Sequence, residues 1–338
     1  MNKNKVYGAF NGVAIGDALG APTELRNTKQ IKDTFGGFVK DFVKSPNDTF
    51  VSGYPIATVT DDFSMTYYVA KEIIKNKDKF DYEIAKQSII AWGSDDYYFD
   101  KFAGPTTRAA IEKMRNNLPT DIDPFELINF NAQATNGGAM KAVPVAVLAD
   151  TDLEKCAEYN LDLCKPTHFN CIAISAATAI SCATCIAQKD NVNLDEIFQV
   201  AIWGAKQGKL NGEQANKISV GIDISMAIER VLTLGKKAKD YVEFMENISN
   251  IIGASFQVSE SIPACFAIVA GTGGNFMDAM YVATNVGGDT DTMAAMIGGI
   301  LGGYVGINNI TTDFIEKVKA ANPRLHFDET IEQFIEVL

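Results

Sequence analysis

The sequence predicts an all-α protein. Three observations carry that expectation. Apolar residues recur at three- and four-residue intervals through most of the chain, strand-like alternation is rare and short, and two long segments are apolar on every side. Segments of the last kind belong to helices at the centre of a large bundle.

Taken in order, residues 16–24 (GDALGAPTE) close a helix-like stretch with two glycines and set the carboxylate of Glu24 just beyond it. Asp17 reads there as a turn residue that caps backbone amides. Residues 35–43 suggest a hairpin or an irregular loop. Residues 63–74 (FSMTYYVAKEII) place Met65, Tyr68, Val69 and Ile73 at helical spacing. Residues 82–92 repeat the pattern. A helix over 106–114 begins after Gly104-Pro105, since proline suits a first turn. Helical spacing recurs over 125–130, 194–205, 222–234 and 238–252, and residues 328–338 form a last amphipathic helix. Cys171–Ala187 carries no charge, and residues 293–307 are apolar and glycine-rich. Both fall short of the ~20 residues a bilayer span needs, so both are expected as buried helices. Gly298, Gly299, Gly302 and Gly303 let a second helix approach closely.

No linker, charge run or low-complexity tract divides the 338 residues, and no repeat is evident. A single domain over 1–338 is expected. Hydrophobic residues make up 47% and charged residues 21%, as in ordinary globular proteins. The 42 acidic against 30 basic residues give a net charge of −12. That disfavours a nonspecific nucleic-acid coat and attachment to an anionic membrane. Lys3 and Lys5 precede an apolar stretch, but Asn11 and Asp17 interrupt it, so no signal peptide is expected and the location is expected to be cytoplasmic. There are six cysteines and two histidines, a poor supply for a structural zinc site. Cys182 and Cys185 share one helix face, and the cysteines are expected as buried, reduced thiols.

Two acidic clusters stand out. Thr60-Asp61-Asp62 and Asp289-Thr290-Asp291-Thr292 each precede an apolar helical segment. One reading is N-capping, in which Thr or Asp accepts hydrogen bonds from first-turn amides. A cap needs one such residue, however, and each cluster offers two carboxylates with no lysine or arginine inside it. The other reading is a hard divalent cation, which takes such an oxygen set. An EF-hand is disfavoured, because the turn glycine and distal glutamate are missing. Gly104-Pro105-Thr106-Thr107 exposes amides at a helix start, a natural anion seat. Asn136-Gly137-Gly138-Ala139-Met140 permits close approach of backbone to a ligand. His168 sits at the entrance of the uncharged helix, either packing there or touching a ligand. His326 reads as a surface residue. Arg108 and Lys141 read as phosphate contacts or as solvated faces.

In this order the segments resemble the ADP-ribosylglycohydrolase family. The matching residues are GDALGAPTE (16–24), TDD (60–62), GPTTRAAI (104–111), NGGAMKAVP (136–144), TH (167–168) and GGDTDTMAAMIGGILGGYVG (287–306). The resemblance implies a compact all-α fold with two adjacent Mg²⁺ or Mn²⁺ ions in a central cleft. It assigns their ligands to Thr60, Asp61, Asp62, Asp289, Asp291 and Thr292. It further implies ADP-ribose contacts from Gly104, Asn136, Gly137, Gly138, Ala139, Met140 and His168. The implied reaction is hydrolysis of the C1″ bond in an ADP-ribosylated protein or a related conjugate, with Glu24 as general base or proton shuttle. Two departures are visible. Phe63 follows Asp62 where many members have threonine, and Phe102 stands where some have an acid, with Asp100 two residues away. Hydrolysis of a smaller ribosyl compound such as a nucleoside, non-catalytic binding of ADP-ribose, and a purely structural helical protein are the alternatives.

Overall fold

The computed structural model describes residues 2–77, 79–116, 130–234 and 238–338. They form helices α1 (Lys3–Gly20), α2 (Thr28–Phe35), α3 (Asp61–Lys75), α4 (Tyr82–Gly93), α5 (Asp96–Phe102), α6 (Pro105–Asn116), α7 (Val143–Leu148), α8 (Leu153–Cys164), α9 (Cys171–Ala187), α10 (Leu194–Gln214), α11 (Ile224–Leu234), α12 (Tyr241–Asn247), α13 (Val258–Gly271), α14 (Phe276–Asn285), α15 (Thr290–Val305), α16 (Thr312–Ala321) and α17 (Phe327–Glu336). Among the described residues no strand forms. Two isolated bridges, Asn27 with Gly287 and Thr135 with Gln257, join loops instead.

The fold is organised around one antiparallel pair, α1 and α15. Gly8, Gly12, Gly16 and Gly20 recur every fourth residue and so share one face of α1. A Cβ on Gly12 would stand 2.0 Å from the Gly298 carbonyl oxygen. One on Gly8 would stand 2.1 Å from the Gly302 oxygen, and one on Gly16 2.1 Å from the Ala294 oxygen. The two backbones therefore touch along their length, which only glycine permits. The register carries a consequence for function: it lays the end of α1 against the start of α15, so that Gly20 meets Asp291.

The remaining helices wrap this pair. Every residue of α9 is buried, and α9 packs against α8, α10 and α15. The Lys5 ammonium of α1 donates to the carbonyls of Ala187 and Lys189 at 2.9 and 2.6 Å, where the C-terminal end of α9 favours a positive charge. α3 packs on α4 and α17, and Phe63 stacks on Phe327 at 4.5 Å. The position after Asp62 thus serves the core. Both long apolar segments are buried helices, as expected. Among the described residues no helix is long and apolar enough to cross a membrane. All six cysteines are free and buried.

Several expectations need correcting. Asp17 does not lie at a turn; α1 continues through it to Gly20. Of the two readings of residues 35–43 the irregular loop holds from Gly36 onward, and α2 precedes it, ended by Gly36 at φ 70°. The helix expected over 194–205 runs on to Gln214. The one expected over 238–252 is a short helix over Tyr241–Asn247 followed by a π turn over Ile248–Ile252. Of the helix expected over 125–130, all but the last residue lies outside the described residues.

Candidate functional site

The loop after α1 delivers Glu24 to the start of α15. The Thr23 hydroxyl donates to the Thr284 carbonyl at 2.7 Å, and the Thr290 hydroxyl donates to the Gly20 carbonyl at 3.0 Å. Beyond Glu24 the backbone pairs with Gly288: Leu25 N donates to its carbonyl and its own amide donates to Arg26 O, both at 2.8 Å. Gly287 and Gly288 adopt φ of 90° and 75°, and a Cβ on Gly288 would meet the Ala254 carbonyl oxygen at 2.0 Å. Leu25 itself sits at φ 62°, an unusual conformation for a residue with a side chain, directly after the carboxylate.

Asp81, Asp152, Asn170 and Asn193 cap their own helices in the usual way. α3 and α15 differ: neither Thr60 nor Asp289 makes a side-chain cap. For α3 the cap comes from another helix. Buried Asp17 of α1 accepts from the Thr60 amide and the Phe63 amide at 2.9 Å and from the Thr60 hydroxyl at 2.8 Å. Asp17 does cap backbone amides, but those of α3. This leaves the carboxylates of the two clusters to face one another.

They face one another at close range. Glu24, Asp289 and Asp291 offer oxygens within 4.8 Å of one another, a set that can hold a metal ion. Asp62 interacts with Asp17, Asp61 and Asp289, and the Thr292 side chain reaches both Asp62 and Asp289. Asp289 also accepts from the Asn136 side-chain amide at 2.5 Å. Burial, reinforced by neighbouring carboxylates, pushes Glu24, Asp62 and Asp291 well above the usual carboxylate range. Burial raises Asp61 to about 8 and Asp17 to about 7. The positive N-terminal ends of α3 and α15 offset only part of this repulsion.

One atom tests the fit of a cation. Asp62 Oδ1 is buried in a residue only 1% exposed and has no hydrogen-bond partner. A bare carboxylate oxygen inside a protein is costly unless a positive charge meets it. Among the described residues, the ammonium that acts on this cluster is Lys141, whose charge acts on Asp61. The four acids of the two segments, together with Glu24, therefore share one lysine. Oxygen donors in excess of positive charge are what a hard divalent ion requires.

Around this centre the structure distributes the other candidate residues unevenly. Asn136 joins it directly through Asp289. Gly137 lies against His168: a Cβ there would come within 2.7 Å of the imidazole. Both ring nitrogens of His168 already have partners, Thr167 Oγ1 at 2.8 Å and Thr135 Oγ1 at 3.0 Å. Burial, and then Lys141, holds the imidazole well below its usual range and therefore neutral. Gly138, Ala139 and Met140 are buried behind the same turn. Gly104 stands at the start of α6 with open space beside it, and among the described residues no hydrogen bond ties it to the carboxylates. Arg108 stacks over Phe99 at 4.5 Å and is partly exposed, whereas Lys141 is fully buried and is no solvated face. His326 is exposed, as expected. Phe102 is buried and packs on Tyr54, and Asp100 points to solvent.

The ADP-ribosylglycohydrolase family model matches residues 2–338. The chain belongs to the ADP-ribosylglycohydrolase family. It is similar to the ADP-ribosylhydrolase ARH3 of Mus musculus, 22% identical over 91% of this chain and 85% of that one. It is also similar to the ADP-ribosylarginine hydrolase Tri1 of Serratia proteamaculans, 25% identical over 93% of this chain and 75% of that one. An uncharacterised Escherichia coli protein, YegU, is 26% identical over 95% of this chain and 94% of its own length. Among solved structures, a protein titled as an ADP-ribosylglycohydrolase-related protein complex shares the fold with a TM-score of 0.69 at 20% identity, covering 99% of each chain.

Two residues beside the carboxylates, Asp17 and Lys141, are not among the expected ligands. Asp17 was legible only as a cap and Lys141 only as a surface or phosphate-binding residue. The four-residue glycine spacing of α1, which fixes the face beside Asp17, is the signal that would have placed the first.

Proposed function

We propose that the chain is a metal-dependent hydrolase that cleaves the ribosyl C1″ bond of an ADP-ribosylated protein or a related ADP-ribose conjugate. The observation that carries this reading is the unpartnered Asp62 Oδ1 among converging carboxylates, within a chain of this family. Thr60, Asp61, Asp62, Asp289, Asp291 and Thr292 would hold two divalent ions, Mg²⁺ or Mn²⁺. Such ions, when bound, polarise ribose hydroxyls and lower the pKa of a coordinated water.

The chain's own residues supply the rest. Cleaving a ribosyl bond builds positive charge on C1″ and the ring oxygen, which a net-negative carboxylate cluster favours. Glu24 lies at the edge of that cluster and is half-buried, so it can exchange protons with solvent and with a bound sugar. It takes the proton from the attacking water or passes one to the leaving group. Asn136 fixes the orientation of Asp289. The backbone of Gly137, Gly138, Ala139 and Met140, together with Gly104 and His168, would contact the ADP-ribose. The acids Asp61 and Asp62 enter α3 in an orientation that Asp17 sets through the Thr60 and Phe63 amides.

The test compares release of ADP-ribose from modified protein with release of ribose from nucleosides, with Mg²⁺ or Mn²⁺ and with chelator. Metal-dependent release from the protein conjugate is expected. Turnover of nucleosides alone would replace this reading with the smaller-substrate one. Tight ADP-ribose binding without any turnover would replace it with a binding module.

A further inference from the structure

Lys141 is a fully buried lysine that the proposed chemistry leaves without a task. It follows the Asn136–Gly138 turn, and its ammonium donates to the Gly137 carbonyl. Its charge also acts on the Asp61 carboxylate, on Cys164 and on His168. Gly137 is thus gripped twice, its carbonyl by Lys141 and its Cα by the His168 ring. The same turn is held at two further points. Its Asn136 amide donates to Phe256 O at 3.0 Å, and its Asn136 side chain donates to Asp289 at 2.5 Å. The turn therefore connects a metal-ligand candidate, Asp289, to a buried cation whose charge acts on a second one, Asp61.

We propose that Lys141 is a positioning residue: it clamps the Gly137 carbonyl so that the Asn136–Gly138 turn presents its backbone to ADP-ribose, and it serves as a built-in positive charge beside the divalent-cation site. The inference rests on the function proposed above. It predicts effects of opposite sign on two ligands. Removing the ammonium frees the turn and weakens ADP-ribose binding. It also removes a repulsive charge next to Asp61, so a divalent cation binds as well or better. A lysine that only filled space would, when lost, weaken both.

The experiment uses the full chain, stripped with chelator, as wild type, Lys141→Met and Lys141→Arg. Calorimetry titrates Mn²⁺ alone, then ADP-ribose at saturating Mn²⁺, with thermal melts alongside. For Lys141→Met the ADP-ribose Kd is expected to rise on the order of tenfold, as for loss of a buried charged hydrogen bond. Its Mn²⁺ Kd is expected to hold or fall. Lys141→Arg keeps the positive charge and a donor in a larger side chain, and both constants are expected to lie closer to wild type than those of Lys141→Met. Unchanged ADP-ribose affinity in Lys141→Met, or parallel loss of both ligands, overturns the inference and leaves the proposed function standing. Should Lys141→Met not fold, Lys141→Arg decides: retained ADP-ribose binding supports the inference, and loss of it with Mn²⁺ binding intact overturns it. A wild-type protein that binds neither ligand overturns both.

Discussion

Replacing Gly12 by alanine separates the glycine contact from ordinary helix propensity. A Cβ at Gly12 would stand 2.0 Å from the Gly298 carbonyl oxygen and 2.7 Å from its carbon. Both atoms are backbone, so no rotamer change relieves the clash, and α1 must retreat from α15 by about 1 Å or more to restore ordinary contact distance. Overpacking of this kind costs about 3 kcal/mol at its usual upper end. Alanine returns about 1 kcal/mol through its better helix propensity, so a net loss of about 2 kcal/mol is expected. Gly303 on α15 provides the internal control. A Cβ there meets its nearest neighbours at 3.7 Å, an ordinary contact. Gly303→Ala should therefore be neutral or stabilising by up to about 1 kcal/mol. Urea unfolding measures both. Because the same contact sets Glu24 against Asp291, Gly12→Ala should also weaken Mn²⁺ binding, and Gly303→Ala should not. Equal stabilities and equal Mn²⁺ affinities for the two variants would refute the reasoning.

Three further predictions concern the carboxylates. Asp61 is raised from 3.8 to about 8, so the folded, cation-free protein holds more protons than the unfolded chain across that interval. Stability in chelator is therefore present at low pH and falls as pH rises through about 8, whereas Mn²⁺, which competes with those protons, binds more tightly as pH rises; melts with and without Mn²⁺ at several pH values check both slopes. Asp62→Asn replaces a buried carboxyl that its surroundings already drive toward the neutral form, so without cation it should melt at or above wild type. The same variant should lack the stabilisation of about 2.7 kcal/mol that wild type gains at a hundredfold excess of Mn²⁺ over Kd. Glu24→Gln should lose on the order of 10²–10⁴ in kcat, measured as ADP-ribose release from modified protein at saturating Mn²⁺.

Most of the fold was legible because helical periodicity and the two all-apolar segments state it directly. The convergence of the two acidic clusters was legible only in part. Thr60–Asp62 and Asp289–Thr292 carry more carboxylate than a cap uses, which local chemistry shows without a structure. How they meet depends on α1, whose apolar pattern has no sharp face and whose Gly8, Gly12, Gly16 and Gly20 reveal their role only opposite Gly302, Gly298, Ala294 and Asp291. Asp17 was misplaced for the same reason: a carboxylate beside glycines suggests a turn until the partner helix is known. His168 and Lys141 illustrate a different limit. Each is polar, and nothing local distinguishes a residue that touches a ligand from one that braces the backbone behind it. The partners that only the fold reveals are two threonine hydroxyls for His168 and a glycine carbonyl for Lys141.

Equilibrium dialysis of chelator-stripped protein against Mn²⁺, in wild type and in Asp62→Asn, reaches the central claim most directly. The account predicts two ions per wild-type chain and fewer in the variant at the same free Mn²⁺. Uptake of none by wild type, or of equal numbers by both proteins, would contradict it.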